Sequence, residues 1–378
     1  MTLHDFDEIR PYEPDELQQV YDRLLANPQF IAVLRYLFPN VPLEQLAQRM
    51  KSCKTNLEFQ RAFCYDFLEK LLREKSNGYD FDASEIDNTQ RYTFVSNHRD
   101  IVLDSAVLDK VLVDANFSTT CEIAIGDNLL KTEWIKDLVR INKSFIVERD
   151  LPLRQLLLAS KRLSQYIHYA IQEKNENVWI AQREGRAKNN DDRTQSAVLK
   201  MLAMGGDLKE LHIVPLAISY EYDPCDALKA NEVLMRSRDP QWKKQPNDDL
   251  VSMKTGIFGF KGHIHYHAAP CINSWIDEID QQLPTTAQFE AIAEKIDREI
   301  HLRYRLYPSN YIAQDLLENS SNNAEKYTKE DKDFFIERLN AQLSTLPNVE
   351  ENRSELTNLI LEQYANPLRN QLAALCQR

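Results

Sequence analysis

The chain has 378 residues, 43% of them hydrophobic and 28% charged, which is enough for a sizeable core in one large domain or two smaller ones. Its net charge of −12 argues against a general nucleic-acid binder. No stretch approaches the ~20 predominantly apolar residues of a membrane-spanning helix, the longest uncharged runs being Leu211–Tyr220 and Gly262–Ile276.

Six scattered cysteines with no C-x-x-C pair read as reduced thiols. The first ten residues carry Asp5, Asp7 and Glu8 and no apolar core, so a signal peptide is not expected and a cytoplasmic setting is. The charge is uneven. From Lys131 to Lys200 fourteen Lys and Arg face nine Asp and Glu, so this stretch carries +5 and the remainder −17. A basic middle in an acidic chain suits either an anionic ligand or ordinary surface scatter.

Up to about residue 75 the pattern is helical. Leu17, Val20, Tyr21, Leu24 and Leu25 recur at i, i+3, i+4, i+7 and i+8. Phe30, Val33, Leu34, Leu37 and Phe38 form a second stripe between Pro28 and Pro39. Pro42 opens a third with Leu43, Leu46, Ala47 and Met50, and Phe59, Phe63, Phe67 and Leu71 make a fourth. Asn77-Gly78 and the acidic run to Asp87 read as a turn and connector.

From about 91 strands and helices alternate. Strands are expected at 92–96, 121–125, 145–147, 178–181 and 212–220, and helices at 100–114, 133–140, 152–173 and 194–204. This alternation predicts an α/β sheet, largely parallel and flanked by helices. Pro215 inside its strand implies an edge or a bulge. A helix follows Asp223-Pro224, then a polar loop from Ser237 to Asp249 and two strands around Gly259 and Gly262. The rest is helical, so the domain reading is an N-terminal helical region (1–88), an α/β domain (89–275) and a C-terminal helical region packed on it (276–378).

One stretch stands out chemically. The strand 92–96 ends in Asn97-His98-Arg99, with Asp100 and Asp104 close behind. A histidine near neutral pH can take a proton from a hydroxyl, and a carboxylate can orient its ring. At about 100° per residue, Asp100 lies about 200° and Asp104 about 240° round from position 98. Neither shares a helical face with His98, so His98 belongs in the turn before the helix, with a carboxylate reaching back. Asp104 sits among Leu103, Ala106, Val107 and Leu108 and points inward, while Asp100 also reads as a carboxylate at a helix start. Alone, a histidine at a strand end reads equally well as a structural residue.

Asn97-His98-Arg99 with Asp104 resembles the N-H-x4-D box of the glycerol-3-phosphate and lysophosphatidic acid acyltransferase family. Phe145-Ile146-Val147-Glu148-Arg149 resembles that family's second block, Glu184-Gly185-Arg186 the third (E-G-x-R-S), and Val214-Pro215-Leu216-Ala217-Ile218 the fourth. The order matches across about 90–275. Two departures are visible: five residues separate His98 from Asp104 instead of four, and the third block is one residue short. Either the turn bulges and Asp104 keeps its role, or Asp100 takes it.

The resemblance implies an O-acyltransferase of phospholipid synthesis without a cofactor. His98, oriented by Asp104 or Asp100, would deprotonate the hydroxyl of a glycerol phosphate or lysophosphatidic acid. That oxygen would attack the thioester of acyl-CoA or acyl carrier protein. Arg149 and Arg186 would hold the phosphate, with Lys143, Lys188 and Arg193 in second rank and Glu184 and Gly185 shaping the turn. Another hydroxylated lipid as acceptor, such as an amino-acid lipid, and a non-catalytic acyl- or lipid-binding relative are the alternatives. Peripheral contact with the inner face of the cytoplasmic membrane is also expected, although Leu356–Leu375 reads as a packed helix. His263, His265 and His267 share one strand face and read as an edge or surface-facing strand, not as metal ligands.

Overall fold

The computed structural model describes residues 3–149, 151–347 and 349–376. The chain opens with α1 (Leu17–Ala26), α2 (Pro28–Leu37), α3 (Leu43–Ser52) and a fourth helical run. That run consists of α4 (Asn56–Phe59), a π-helical turn (Gln60–Tyr65) and α5 (Asp66–Lys75). The strands are β1 (Gly78–Asp82), β2 (Thr93–Ser96), β3 (Cys121–Gly126), β4 (Ser144–Val147), β5 (Asn177–Ala181), β6 (Ile213–Tyr220) and β7 (His263–Ala268). Between β2 and β7 come α6 (Leu103–Asp114), α7 (Glu133–Ile141), α8 (Leu153–Gln172), α9 (Ser196–Leu202), α10 (Asp226–Arg238) and α11 (Asp248–Phe258). After β7 follow α12 (Thr285–Leu302), α13 (Pro308–Glu318), α14 (Lys329–Leu343) and α15 (Val349–Cys376).

The strands form one sheet in the order β1-β7-β6-β2-β5-β3-β4. Every neighbouring pair is parallel except β6–β7. The fold is thus α/β with a largely parallel sheet between helices. Alternation along the strands sends Phe94, Trp179 and Val214 to one face, where Leu103, Val107 and Val111 of α6 cover them. Val95, Val178, Ile180 and Ile213 point the other way, onto Leu163, Ile167 and Ala170 of α8 and Ile292, Ile296 and Ile300 of α12. Phe6 and Ile9, from the start of the chain, join this second core. The helices α1–α4 pack around Ile141 of α7, and α10 and α13–α15 form a core around Tyr222 and Tyr364.

Three local expectations are corrected. Residues 78–82, read as a connector, form β1, paired in parallel with β7. Three residues of its five are acidic or glycine, so no continuous apolar run marks it, and an edge strand needs none. Residues 248–258, read as loop and strand, form α11, leaving one strand where two were expected. Pro215 lies on neither an edge nor a bulge, because β6 sits between β7 and β2. Its carbonyl accepts from Ala269 N at 2.9 Å, one residue past the end of β7. The missing N–H therefore falls where the antiparallel pairing runs out.

The histidine strand is not an edge either, since β1 covers it. His265 Nδ1 lies 2.8 Å from Asp80 Oδ1, and His267 Nε2 lies 3.4 Å from Glu85. Among the described residues no helix is long and apolar enough to cross a membrane.

Candidate active site

The strands β2 and β5 end level, with Ser96 in register with Ala181, while β6, in register with Ser96 at Leu216, runs on to Tyr220. The segments that leave their carboxyl ends therefore meet, and in open α/β sheets this is where ligands bind. Asn97 extends β2 by one step with its side chain. Its Nδ2 donates to Ile218 O (2.9 Å) and its Oδ1 accepts from Ile218 N (2.8 Å). An amide can satisfy both backbone groups at once, which neither a carboxylate nor an amine can.

His98 follows, in a turn that carries no regular structure, and the extra residue before Asp104 is absorbed there. Asp104, fully buried at the start of α6, reaches back with Oδ2. This oxygen lies 2.8 Å from His98 Nδ1 and accepts from Arg99 N (2.6 Å) and Asp100 N (3.0 Å). The loop wraps the carboxylate with three donors. An ionised carboxylate only accepts, so Nδ1 carries the proton and Nε2 keeps its lone pair. The ring is 13% exposed and packs edge-on against Trp179, with centroids 5.6 Å apart. Trp179 in turn donates to Ser96 Oγ at 3.0 Å. Tyr266 OH donates to Asp104 O at 2.8 Å and ties the start of α6 to β7.

Asp100 faces elsewhere. Its Oδ1 accepts from Val102 N (2.9 Å) and Leu103 N (2.8 Å), which caps α6. Burial raises its carboxyl above the usual range, and Asp104 adds to this while Arg186 pulls it back. A Cβ on Gly256 would stand 1.8 Å from Asp100 Oδ2, so α11 closes over this carboxylate through the one residue that leaves room.

The second and third blocks meet at the same end of the sheet. Arg149 Nη1 lies 3.5 Å from the exposed Glu184, and Arg149 N donates to Asp127 Oδ2 at 3.3 Å. Gly185 has φ +66° with nothing within 4 Å of a built Cβ, a left-handed turn suited to glycine. That turn aims Arg186 inward. Arg186 is only 6% exposed, and among the described residues its Nη1 has no hydrogen-bond partner. A buried guanidinium with an open donor fits an oxyanion. Lys188 pairs with Glu232 at 2.8 Å. Burial, and then the nearby Arg186, bring its ammonium down to about 7.

Two cations are not brought to this end. Lys143 stands at the start of β4, opposite Arg149, and its Nζ bonds Glu176 (2.7 Å), Thr119 (2.9 Å) and Thr120 (3.1 Å). Arg193 is exposed and contacts Asp191 (3.1 Å) and Asn370 (3.0 Å).

The sequence offered no sign of a buried ionic support beneath the histidine turn. Arg99 pairs with Asp192 at 2.7 Å, and Asp192 also accepts from Tyr304 OH at 2.7 Å. Lys229 donates to Arg99 O at 2.9 Å and contacts Asp223. These partners lie up to about two hundred residues apart in a chain rich in both charges, so no local spacing links them.

Residues 80–219 match the family model described as Acyltransferase. The match covers little more than a third of the chain, and acyl transfer is the enzyme class it supports. The matched stretch runs from β1 to β6 and includes His98, Asp104, Arg149 and Arg186, while β7 and the C-terminal helices lie beyond it. Among curated proteins none matches the sequence significantly. Among solved structures, the crystal structure of the 1-acyl-sn-glycerophosphate (LPA) acyltransferase PlsC from Thermotoga maritima is similar at 9% identity and a TM-score of 0.34. The similarity covers 75% of this chain and 94% of that one.

Proposed function

We propose that the acyltransferase domain moves a fatty acyl group from the thioester of coenzyme A or acyl carrier protein to the hydroxyl of a glycerol phosphate or lysophosphatidic acid. His98 Nε2 takes the hydroxyl proton, and the oxygen attacks the thioester carbonyl. The C–S bond breaks as the ester C–O bond forms, and the thiolate leaves with the proton held on His98. Asp104 keeps the ring in the required tautomer and stabilises the imidazolium. Arg186, with Lys188 near it, receives the acceptor's phosphate, and Arg149 at the end of β4 is a further cation for it. The observation that carries this reading is the His98–Asp104 contact of 2.8 Å, in a strand-end turn of a domain that also buries Arg186 with an open donor.

The test is thiol release by purified protein from a long-chain acyl-CoA and from acyl-acyl carrier protein. Each donor is offered glycerol-3-phosphate, lysophosphatidate and an unphosphorylated lipid alcohol. Ester formation on the phosphorylated acceptors is expected. Transfer to the unphosphorylated alcohol alone would reject the assigned phosphate site.

A further inference from the structure

We propose that the first two turns of α8 form a docking surface for an anionic lipid membrane. Seven consecutive residues, 152–158, are exposed, so the start of this helix projects past the body of the protein. Leu153 is 84% exposed, Leu157 61% and Leu158 63%, an apolar cluster that nothing among the described residues covers. At about 100° per residue, Leu153, Leu157, Lys161, Arg154 and Leu158 fall within an arc of about 140°. Leu163, Tyr166, Ile167 and Ala170 lie on the opposite side and are buried against the sheet.

Charge selects the occupant. The whole of α8 contains no Asp or Glu, within a chain of net charge −12. Arg154 and Lys161 contact no acid among the described residues, whereas Arg162, outside the arc, pairs with Glu8 and Glu148. Leucines interleaved with cations that have no acid partner among the described residues match the boundary between anionic headgroups and acyl chains.

Position adds a reason. The projecting end begins a few residues after Arg149, at the carboxyl end of β4, on the side where His98 stands. The loop after β3 joins the same end, because Lys131 Nζ donates to Pro246 O (2.5 Å) just ahead of α11. There Leu250 and Val251 are exposed as well. The surface rests on its own geometry, while its use for handing over a membrane-borne acceptor rests on the proposed acyl transfer.

The experiment is sedimentation of the full chain with vesicles of equal parts phosphatidylglycerol and phosphatidylcholine, and with phosphatidylcholine alone. Wild type is expected to pellet with the anionic vesicles. Replacing Leu153, Leu157 and Leu158 together by Ser is expected to weaken this by about tenfold or more. Arg154→Ser with Lys161→Ser is expected to erase the preference for phosphatidylglycerol. Unchanged melting temperatures check that the exposed substitutions leave the fold intact. Equal vesicle binding by wild type and the leucine variant overturns the proposal. So does a wild-type dimer that the leucine variant dissociates without any vesicle binding, which would make this face a contact between copies. If the leucine variant loses the vesicles while no acceptor is acylated by wild type, the docking surface stands and the acyl-transfer reading fails.

Discussion

At the scale of single residues, the site turns on which carboxylate faces the imidazole. Asp104 meets Nδ1, while Asp100 holds the first amides of α6. Asp104→Asn is therefore expected to lower kcat/KM by about 10²–10⁴-fold, the usual worth of an oriented general base. Asp100→Asn, which can still cap the helix, is expected to lose much less; the reverse order in the same assay would return Asp100 to the role. Lys188 gives a second handle. With its ammonium at about 7, the cation is charged below that pH and neutral above it. The KM for a phosphorylated acceptor is expected to rise as pH climbs through 7, and Lys188→Arg to flatten that rise, as read from KM–pH profiles. Legibility at this scale was partial. Spacing could place His98 in a turn and point both aspartates away from its helical face. It could not say how a five-residue loop closes, because that depends on three backbone donors converging on one oxygen.

At the scale of elements, Asn97 joins the end of β2 to β6 with a two-way bond to Ile218. Asn97→Ala leaves one buried N–H and one buried C=O without partners, at a cost of about 1–3 kcal/mol. Urea unfolding is expected to show a lower midpoint with an unchanged slope; an unchanged midpoint would deny the bridge its structural role. The helical stripes of α1–α3 and the apolar strands β3–β6 were legible because periodicity and burial agree there. β1 was not, because its partner β7 lies some 180 residues away and only Tyr79 and Phe81 of its five residues are apolar. Likewise, the Pro215 rule failed because it weighs the strand and not where its neighbour stops.

At the scale of the whole molecule, helices outside the matched domain brace it. Asp297 of α12 accepts from Thr194 N (2.7 Å) and Oγ1 (2.6 Å), in the segment that follows Arg186 and Lys188. Burial raises this carboxyl to about 7 from an ordinary 3.8. A raised carboxyl holds its proton in the folded state, so its contribution falls as pH rises from about 4 to about 7 and is level above that. Asp297→Asn is expected to remove this component, so the variant should lose less stability than wild type between pH 4 and pH 7 in paired unfolding curves. Parallel curves would mean that Asp297 is ionised in the fold. The sequence marked this C-terminal region as helical but gave no sign of this tie, which joins residues about a hundred positions apart.

The central claim, that His98 is the base for acyl transfer, is tested most directly by the rate of thiol release from acyl-CoA with glycerol-3-phosphate or lysophosphatidate, whichever wild type accepts. His98→Ala is compared at matched melting temperature. A loss of at least about 10²-fold in kcat, with acceptor KM little changed, is expected. Equal rates for wild type and His98→Ala would contradict it.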